Sequence, residues 1–193
     1  KVLLKKIIEF SNSEKKIFVL DQNLTDKEKN ILETFYLGIF QRNLELYKLM
    51  ISDQIFSICS SLNIKNPFAN SDPLAMMHTN SKKLGGIFNS TNSPWHQDWL
   101  SMQGSLNSIV IWLPLVDIDE KIGGISILEG SHKFGLIESE KDNWFANVNN
   151  GIQNLKKFNE IKPLVNAGDV VVFSSLLVHK TAEPIFKNNE IVR

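Results

Sequence analysis

The chain has 193 residues, long enough for one domain with a real core. Its 42% hydrophobic and 22% charged residues are those of an ordinary globular protein, and 21 basic against 21 acidic residues leave no net field to draw nucleic acid or an anionic membrane. The single cysteine, Cys59, excludes an intrachain disulfide and a multi-cysteine zinc site; it permits a reducing compartment, and the expected location is cytoplasmic.

No apolar run approaches the roughly 18 to 20 residues that span a bilayer. "KVLLKKIIEF" at the start is too interrupted by lysine to form a signal-peptide core. The chain begins without Met and stops in the strand-like "EIVR", so it is expected to be a core trimmed at one or both ends, the C-terminal end in particular.

The first third reads helical. Leu3, Leu4, Ile7 and Ile8 recur at helical spacing. "KIFVLD" (16–21) has the look of a short strand, and Thr25 and Glu28 of "TDKE" are spaced as a capping box. The helix it opens carries Ile31, Leu32, Phe35, Ile39 and Phe40 on one face. A further helical run, "DQIFSICSSL" (53–62), ends in the turn-prone "NIKNPFANSDP".

After about residue 74 the grammar changes to short runs rich in Val and Ile, separated by Gly, Asn, Pro and Asp. The expected strands are "LAMMHT", "LGGIFN", "NSIVIWLPLVD", "GISIL", "IKPLV", "DVVVFSSLLVH" and "EIVR". Many short strands without alternating helices point to a sandwich, barrel or jelly roll rather than a parallel α/β sheet. Residues 138–160 read as a long polar loop, of the kind that closes over a substrate, with Trp144 and Phe145 in it. The expectation is a single domain over 1–193, in which a mostly helical part (1–73) packs on a β core (74–193).

The chemistry is concentrated in "SPWHQDW" (93–99). If the segment is extended, His96 and Asp98 project to one face and Gln97 to the other. A metal needs a third ligand, and His78, His132 and His179 are the candidates. His179 stands at the end of the apolar run that follows the Gly168-Asp169 turn, whereas His132 lies in the Gly-flanked "EGSHKFG" and reads as a turn residue. His78 reads as a strand residue facing the cavity. Two histidines and one carboxylate on one face of an octahedron suit Fe(II) with open positions, and three protein ligands with water also suit zinc. Taken alone, an H-x-D spacing often arises by chance, and the alternative for His96 and Asp98 is a surface pair hydrogen-bonded to its own backbone. Trp95, Trp99 and Trp112 could each be core packing, and Gln97 a bond within the sheet or a contact to a cosubstrate.

"PWHQDW", "VIWLPLVD", "GGISILEGSHKFG" and "GDVVVFSSLLVHKT", followed by Arg193, resemble in order the phytanoyl-CoA dioxygenase-like family of Fe(II)- and 2-oxoglutarate-dependent oxygenases, over roughly residues 74–193. The resemblance implies a double-stranded β-helix (a cupin-like jelly roll), against which the helices read from the N-terminal third would pack. It implies His96, Asp98 and His179 as iron ligands, and Arg193 as partner of the distal carboxylate of 2-oxoglutarate. Thr181 would assist that carboxylate, and Trp112 would wall the cosubstrate pocket. A guanidinium fork matches a carboxylate, which is the physical case for arginine. The implied reaction is hydroxylation of a small molecule using O2 and 2-oxoglutarate, with release of succinate and CO2.

The chain departs from the family pattern at Glu129, where the family usually has Pro, and in a longer gap before Arg193, which makes Lys180 and Lys187 alternatives for the carboxylate. Two other functions stand beside this one: a zinc-type cupin hydrolase or isomerase, and a catalytically silent binding module of the same fold. Neither substrate identity nor oligomeric state is legible.

Overall fold

The computed structural model describes residues 44–69, 93–121, 123–142, 145–148 and 157–182. The expected elements at 16–21 and 25–40 and the expected strands at 74–79, 84–89 and 190–193 lie outside these residues, as do His78, Lys187 and Arg193. Two compact units make up the chain: residues 1–77 with 82–88, and residues 78–81 with 89–193.

In the first unit, helix α1 spans Leu44–Met50 and α2 spans Asp53–Ser61. The sequence reading of 53–62 as helix holds, while α1 had not been singled out. Asp53 in the first turn of α2 complements the helix dipole, and Cys59 is its buried residue. Asn63 and Asn66 then adopt left-handed backbone, which asparagine tolerates better than most side chains, and so end the helical run. Among the described residues no helix is long and apolar enough to cross a membrane.

The second unit is built of short antiparallel strands. β1 (Ile109–Trp112) pairs with β6 (Val171–Ser174), both runs of β-branched and aromatic residues that fit a pleated surface. β2 (Ile125–Leu128) lies between β5 (Glu160–Ile161) and β7 (His179–Thr181) in a three-stranded sheet. β3 (Glu140–Asp142) and β4 (Phe145–Asn147) form a hairpin, so part of the stretch expected to be loop is ordered as strand. Along the chain, β1 is in one sheet, β2 and β5 in the other, β6 in the first and β7 in the second.

The two sheets share a core. Ile125 and Leu177 pack with Phe173, joined by Val110, Trp112, Ile127 and Val171. This cluster takes side chains from β1 and β6 and from β2, and so joins the sheets. A second cluster, Leu128, Val148 and Val178 with Trp95, Ile137 and Phe158, adjoins it. Ile125 and Ile127 belong to one cluster and Leu128 to the other, so β2 is covered on both faces, which explains its nearly unbroken apolar reading. Each fully buried aliphatic or aromatic side chain there contributes about 1.5–3 kcal/mol.

One expected strand is broken. "DVVVFSSLLVH" is not a single extended run: β6 ends at Ser174, residues 175–178 turn, and β7 starts at His179 in the other sheet. The Ser174 hydroxyl accepts the Leu176 N–H (3.2 Å) and its carbonyl accepts the Leu177 N–H (2.8 Å). Serine thus offers the backbone a local alternative to the ladder. The apolar run continues because Leu176, Leu177 and Val178 are buried where the chain crosses between sheets. Gly124, just before β2, is required by close approach: a Cβ there would stand 2.6 Å from Ile118 Cγ2.

Candidate metal centre

The side chains of His96, Asp98 and His179 meet at one point. Among the described residues they form the group of potential ligands whose donor atoms all lie within 4.8 Å of one another. His96 Nε2 is 3.3 Å from Asp98 Oδ1, and His179 Nε2 is 3.5 Å from Asp98 Oδ2. His132 sits instead in the 3-10 turn Ser131–Phe134, as its glycine-flanked sequence suggested.

Backbone pairing brings the two histidines together. His96 N–H donates to His179 O (2.9 Å) and His179 N–H to His96 O (3.0 Å), an antiparallel bridge across which opposite side chains share a face. On its other side His179 pairs with Ile127, so His96, His179 and Ile127 form one row. The imidazole rings are 4.2 Å apart between centroids, and Phe173 of the facing sheet packs against His179 at 4.9 Å. The sequence reading missed Phe173, because a Phe in an apolar run announces only a core residue.

Asp98 reaches the site by a different route from the extended segment considered above. The extended backbone stops after Gln97, and Asp98 adopts helical angles (φ −66°, ψ −25°) at the start of α3, Trp99–Met102. It converges with His96 by way of this turn rather than through i, i+2 strand alternation. Ser175 O fixes the turn by accepting the Trp99 N–H (3.1 Å), and the Trp99 indole folds back to donate to Gly104 O (3.0 Å).

Both histidines have their tautomer set in the same way. His96 Nδ1 lies 2.7 Å from Pro94 O and His179 Nδ1 lies 3.0 Å from Leu177 O. A carbonyl can only accept, so each Nδ1 carries a proton and each ring turns its Nε2 towards the Asp98 carboxylate. An Nε2 this close to a carboxylate is bridged by a cation, either a proton, as in a hydrogen bond to Asp98, or a metal. At His179 burial disfavours the proton: it pushes the ring down to about 4, with Asp98 opposing and His96 adding to the fall. For Asp98, burial is the largest single influence and would raise it. The hydrogen bond from His96 and the charges of His179 and His96 together outweigh burial and hold the carboxyl below its ordinary value. A deprotonated carboxylate beside a neutral buried imidazole is the state in which these groups ligate metal.

The remaining expected site residues fall in three places. Thr181, two residues past His179 on the same face, pairs with Ser93. Its Oγ1 accepts the Ser93 N–H (3.1 Å), its own N–H donates to Ser93 Oγ (3.0 Å), and the two hydroxyls are 2.9 Å apart. Trp112 is half-buried in the cluster that joins the sheets and contains Phe173. Lys180 leaves the opposite face of β7, where it approaches Glu160 (3.8 Å) and lies over the Trp95 ring (4.4 Å). That orientation removes it as an alternative partner for a carboxylate beside His179.

Gln97 is a second residue whose role the sequence left open. It is 1% exposed, and its amide is fully matched: Nε2 donates to Leu176 O (2.6 Å) and Gly135 O (2.9 Å), and Oε1 accepts the Ile137 N–H (2.9 Å). A buried amide left without partners costs about 2–7 kcal/mol, so these three bonds are what makes a glutamine tolerable here. Its side chain is committed to the framework and is not aimed at the metal site.

These features define an antiparallel β protein with two facing sheets and a two-histidine, one-carboxylate cluster able to hold a metal ion. The chain belongs to the phytanoyl-CoA dioxygenase (PhyH) family, whose model matches residues 5–184. It is similar to the 1-deoxypentalenic acid 11-beta-hydroxylase of Streptomyces exfoliatus, 26% identical over 102 residues, which are 50% of this chain and 36% of that protein. It is also similar to the peroxisomal phytanoyl-CoA dioxygenase of Bos taurus, 32% identical over 92 residues, 45% of this chain and 27% of that protein. The match thus spans about a third or less of either relative's length. A solved structure, the non-heme alpha ketoglutarate dependent epimerase SnoN from nogalamycin biosynthesis, is a distant likeness at 15% identity and a TM-score of 0.41, covering 60% of this chain and 40% of that one.

Proposed function

We propose that the chain is the core of a non-haem Fe(II), 2-oxoglutarate-dependent dioxygenase on a double-stranded β-helix, hydroxylating a small-molecule substrate with release of succinate and CO2. The observation that carries this reading is the convergence of two Nε2 atoms and the Asp98 carboxylate, in a chain of a dioxygenase family. The hydroxylase and dioxygenase names of the two curated relatives support the reaction class.

His96, Asp98 and His179 would hold the metal, leaving coordination positions for the cosubstrate and dioxygen. Bound iron with 2-oxoglutarate supplies the oxidising power for C–H hydroxylation. The protein's own part is to hold the ligands deprotonated and oriented. The Pro94 and Leu177 carbonyls keep each imidazole proton on Nδ1, and Phe173 and Trp112 lie in the apolar layer beside His179. Thr181 faces the same side as His179 and would offer its hydroxyl to the distal carboxylate of 2-oxoglutarate, with Arg193 as the principal partner.

Purified protein loaded anaerobically with Fe(II) is expected to form succinate from 2-oxoglutarate once O2 and a substrate from a metabolite library are supplied. Stoichiometric zinc with no binding of 2-oxoglutarate would replace this reading by the hydrolase one. Removing one partner of a desolvated charge pair costs about 2–5 kcal/mol, so Arg193→Ala should weaken 2-oxoglutarate at least about 30-fold while metal binding is retained. Wild-type affinity in that variant would dismiss the arginine.

A further inference from the structure

We infer that Gln97 is a positioning residue that sets the spacing of the His96/Asp98 pair and couples it to the turn at 130–137; the inference rests on the metal reading of that pair. Gln97 lies between the two ligands in sequence, and its side chain leaves on the face away from them. There it bonds two separate segments at once. Leu176 O belongs to the crossing segment that leads into His179, whereas Gly135 O and Ile137 N–H belong to the turn after Ser131–Phe134.

The same turn is also bonded to the His179 arm without Gln97: Ser131 Oγ accepts the Val178 N–H (2.9 Å), one residue before the ligand. Turn, crossing segment and His96/Asp98 segment therefore form a closed circuit of hydrogen bonds, and Gln97 contributes three of its links. Besides the His96–His179 bridge, the backbone of this segment is tied at Trp95 O, which accepts the Val148 N–H (2.9 Å), and the Gln97 side chain adds bonds to two further segments. Asp98 in addition stands where the backbone turns into helical angles; Ser175 O holds the residue after it through the Trp99 N–H, and Gln97 anchors the residue before it. The amide group is the fitting anchor, because the three partners are two carbonyls and one N–H. A carboxylate could satisfy only the N–H, and an apolar side chain none of them. Gly135 takes φ +71° and ψ −147°, a conformation that L side chains rarely adopt, and this presents its carbonyl to Gln97.

The test uses Co(II), followed by its visible absorption, on the whole chain and on Gln97→Met, Gln97→Glu and Gly135→Ala. Groups that orient metal ligands typically account for about 10- to 100-fold in metal affinity. Gln97→Met and Gln97→Glu are expected to lose affinity in that range, to change the Co(II) spectrum, and to show a smaller rise in melting temperature on metal addition. Gly135→Ala touches no ligand, and a Cβ there meets nothing within 4 Å, yet it should lose affinity in the same direction to a smaller extent. It decides the matter if the Gln97 variants do not fold. A residue that merely packs would lower the metal-free melting temperature and leave the Co(II) affinity, spectrum and metal-induced rise at wild-type values; that result in any folded variant overturns the inference. If the wild type itself fails to bind one Co(II) per chain, the metal reading falls and this inference with it. Wild-type binding with unaffected variants removes the inference alone.

Discussion

His179 and the His96/Asp98 pair face each other across one antiparallel bridge, but the two arms are held by different forces. His179 lies in a β-strand with ladder partners on both sides, and its ring packs on Phe173 across the core. Residues 93–99 have the bridge to His179 and single backbone bonds at Ser93 O, Trp95 O and Trp99 N–H, and are further fastened by side chains: Ser93 to Thr181 and Gln97 to two loops. Ladder bonds belong to every sequence, so the His179 arm should tolerate substitutions of its neighbours. The other arm leans more on particular functional groups and should tolerate fewer.

The largest effect expected is on metal binding itself. His179→Ala and Asp98→Ala each remove one of the three proposed ligands and should abolish stoichiometric Co(II) or Fe(II) binding, measured by anaerobic titration. Retention of one metal per chain in either variant would mean that the convergence is not a metal site.

The next effect is pH dependence, which isolates the buried arm. In the unfolded chain His179 takes up a proton near its ordinary 6.5, and in the folded chain only at about 4. Between those values the unfolded state binds more protons, so stability rises with pH in that window and falls as pH drops from about 6.5 towards 4. The melting temperature of chelator-treated protein should decline over this range, and His179→Gln should flatten the decline. Asp98, held below its ordinary 3.8, adds a further loss only as pH falls through and below that value.

A smaller effect tests the side-chain fastening. Thr181→Val keeps the shape and deletes the hydroxyl, leaving the Ser93 N–H without its acceptor; about 1–2 kcal/mol of stability should be lost, read by denaturant unfolding. If Thr181 also serves 2-oxoglutarate, the variant weakens cosubstrate binding as well, whereas Ser93→Ala lowers stability with less effect on that affinity.

The smallest effect lies on the outer face of the same strand. Lys180→Met removes a partly exposed contact to Glu160 and should cost no more than about 0.5–1 kcal/mol, with 2-oxoglutarate affinity unchanged. A large rise in the cosubstrate constant would show that Lys180 turns inwards and holds the carboxylate after all.

By itself the sequence determined the residue types and the local preferences. The convergence of His96, Asp98 and His179 was legible because metal chemistry calls for imidazole and carboxylate together, and because the blocks around them follow a family order. Helix α2 and strands β1 and β2 were legible from helical spacing and from runs of Val and Ile, since propensity and burial act there in the same direction. Tertiary structure decided the rest. It broke "DVVVFSSLLVH" into two strands of different sheets, because burial of Leu176, Leu177 and Val178 keeps a crossing segment as apolar as a strand. It made a hairpin within 138–160, where polar composition had suggested loop, because pairing of β3 with β4 satisfies backbone groups whatever their side chains. It brought Asp98 to the cluster through a helical turn, turned Lys180 away from it, and buried Gln97 as a bonded anchor. In each case the deciding partner is far away in the chain, so no local pattern carries the information. Composition and spacing report what a residue can do, and only the packed neighbours select which of those things it does.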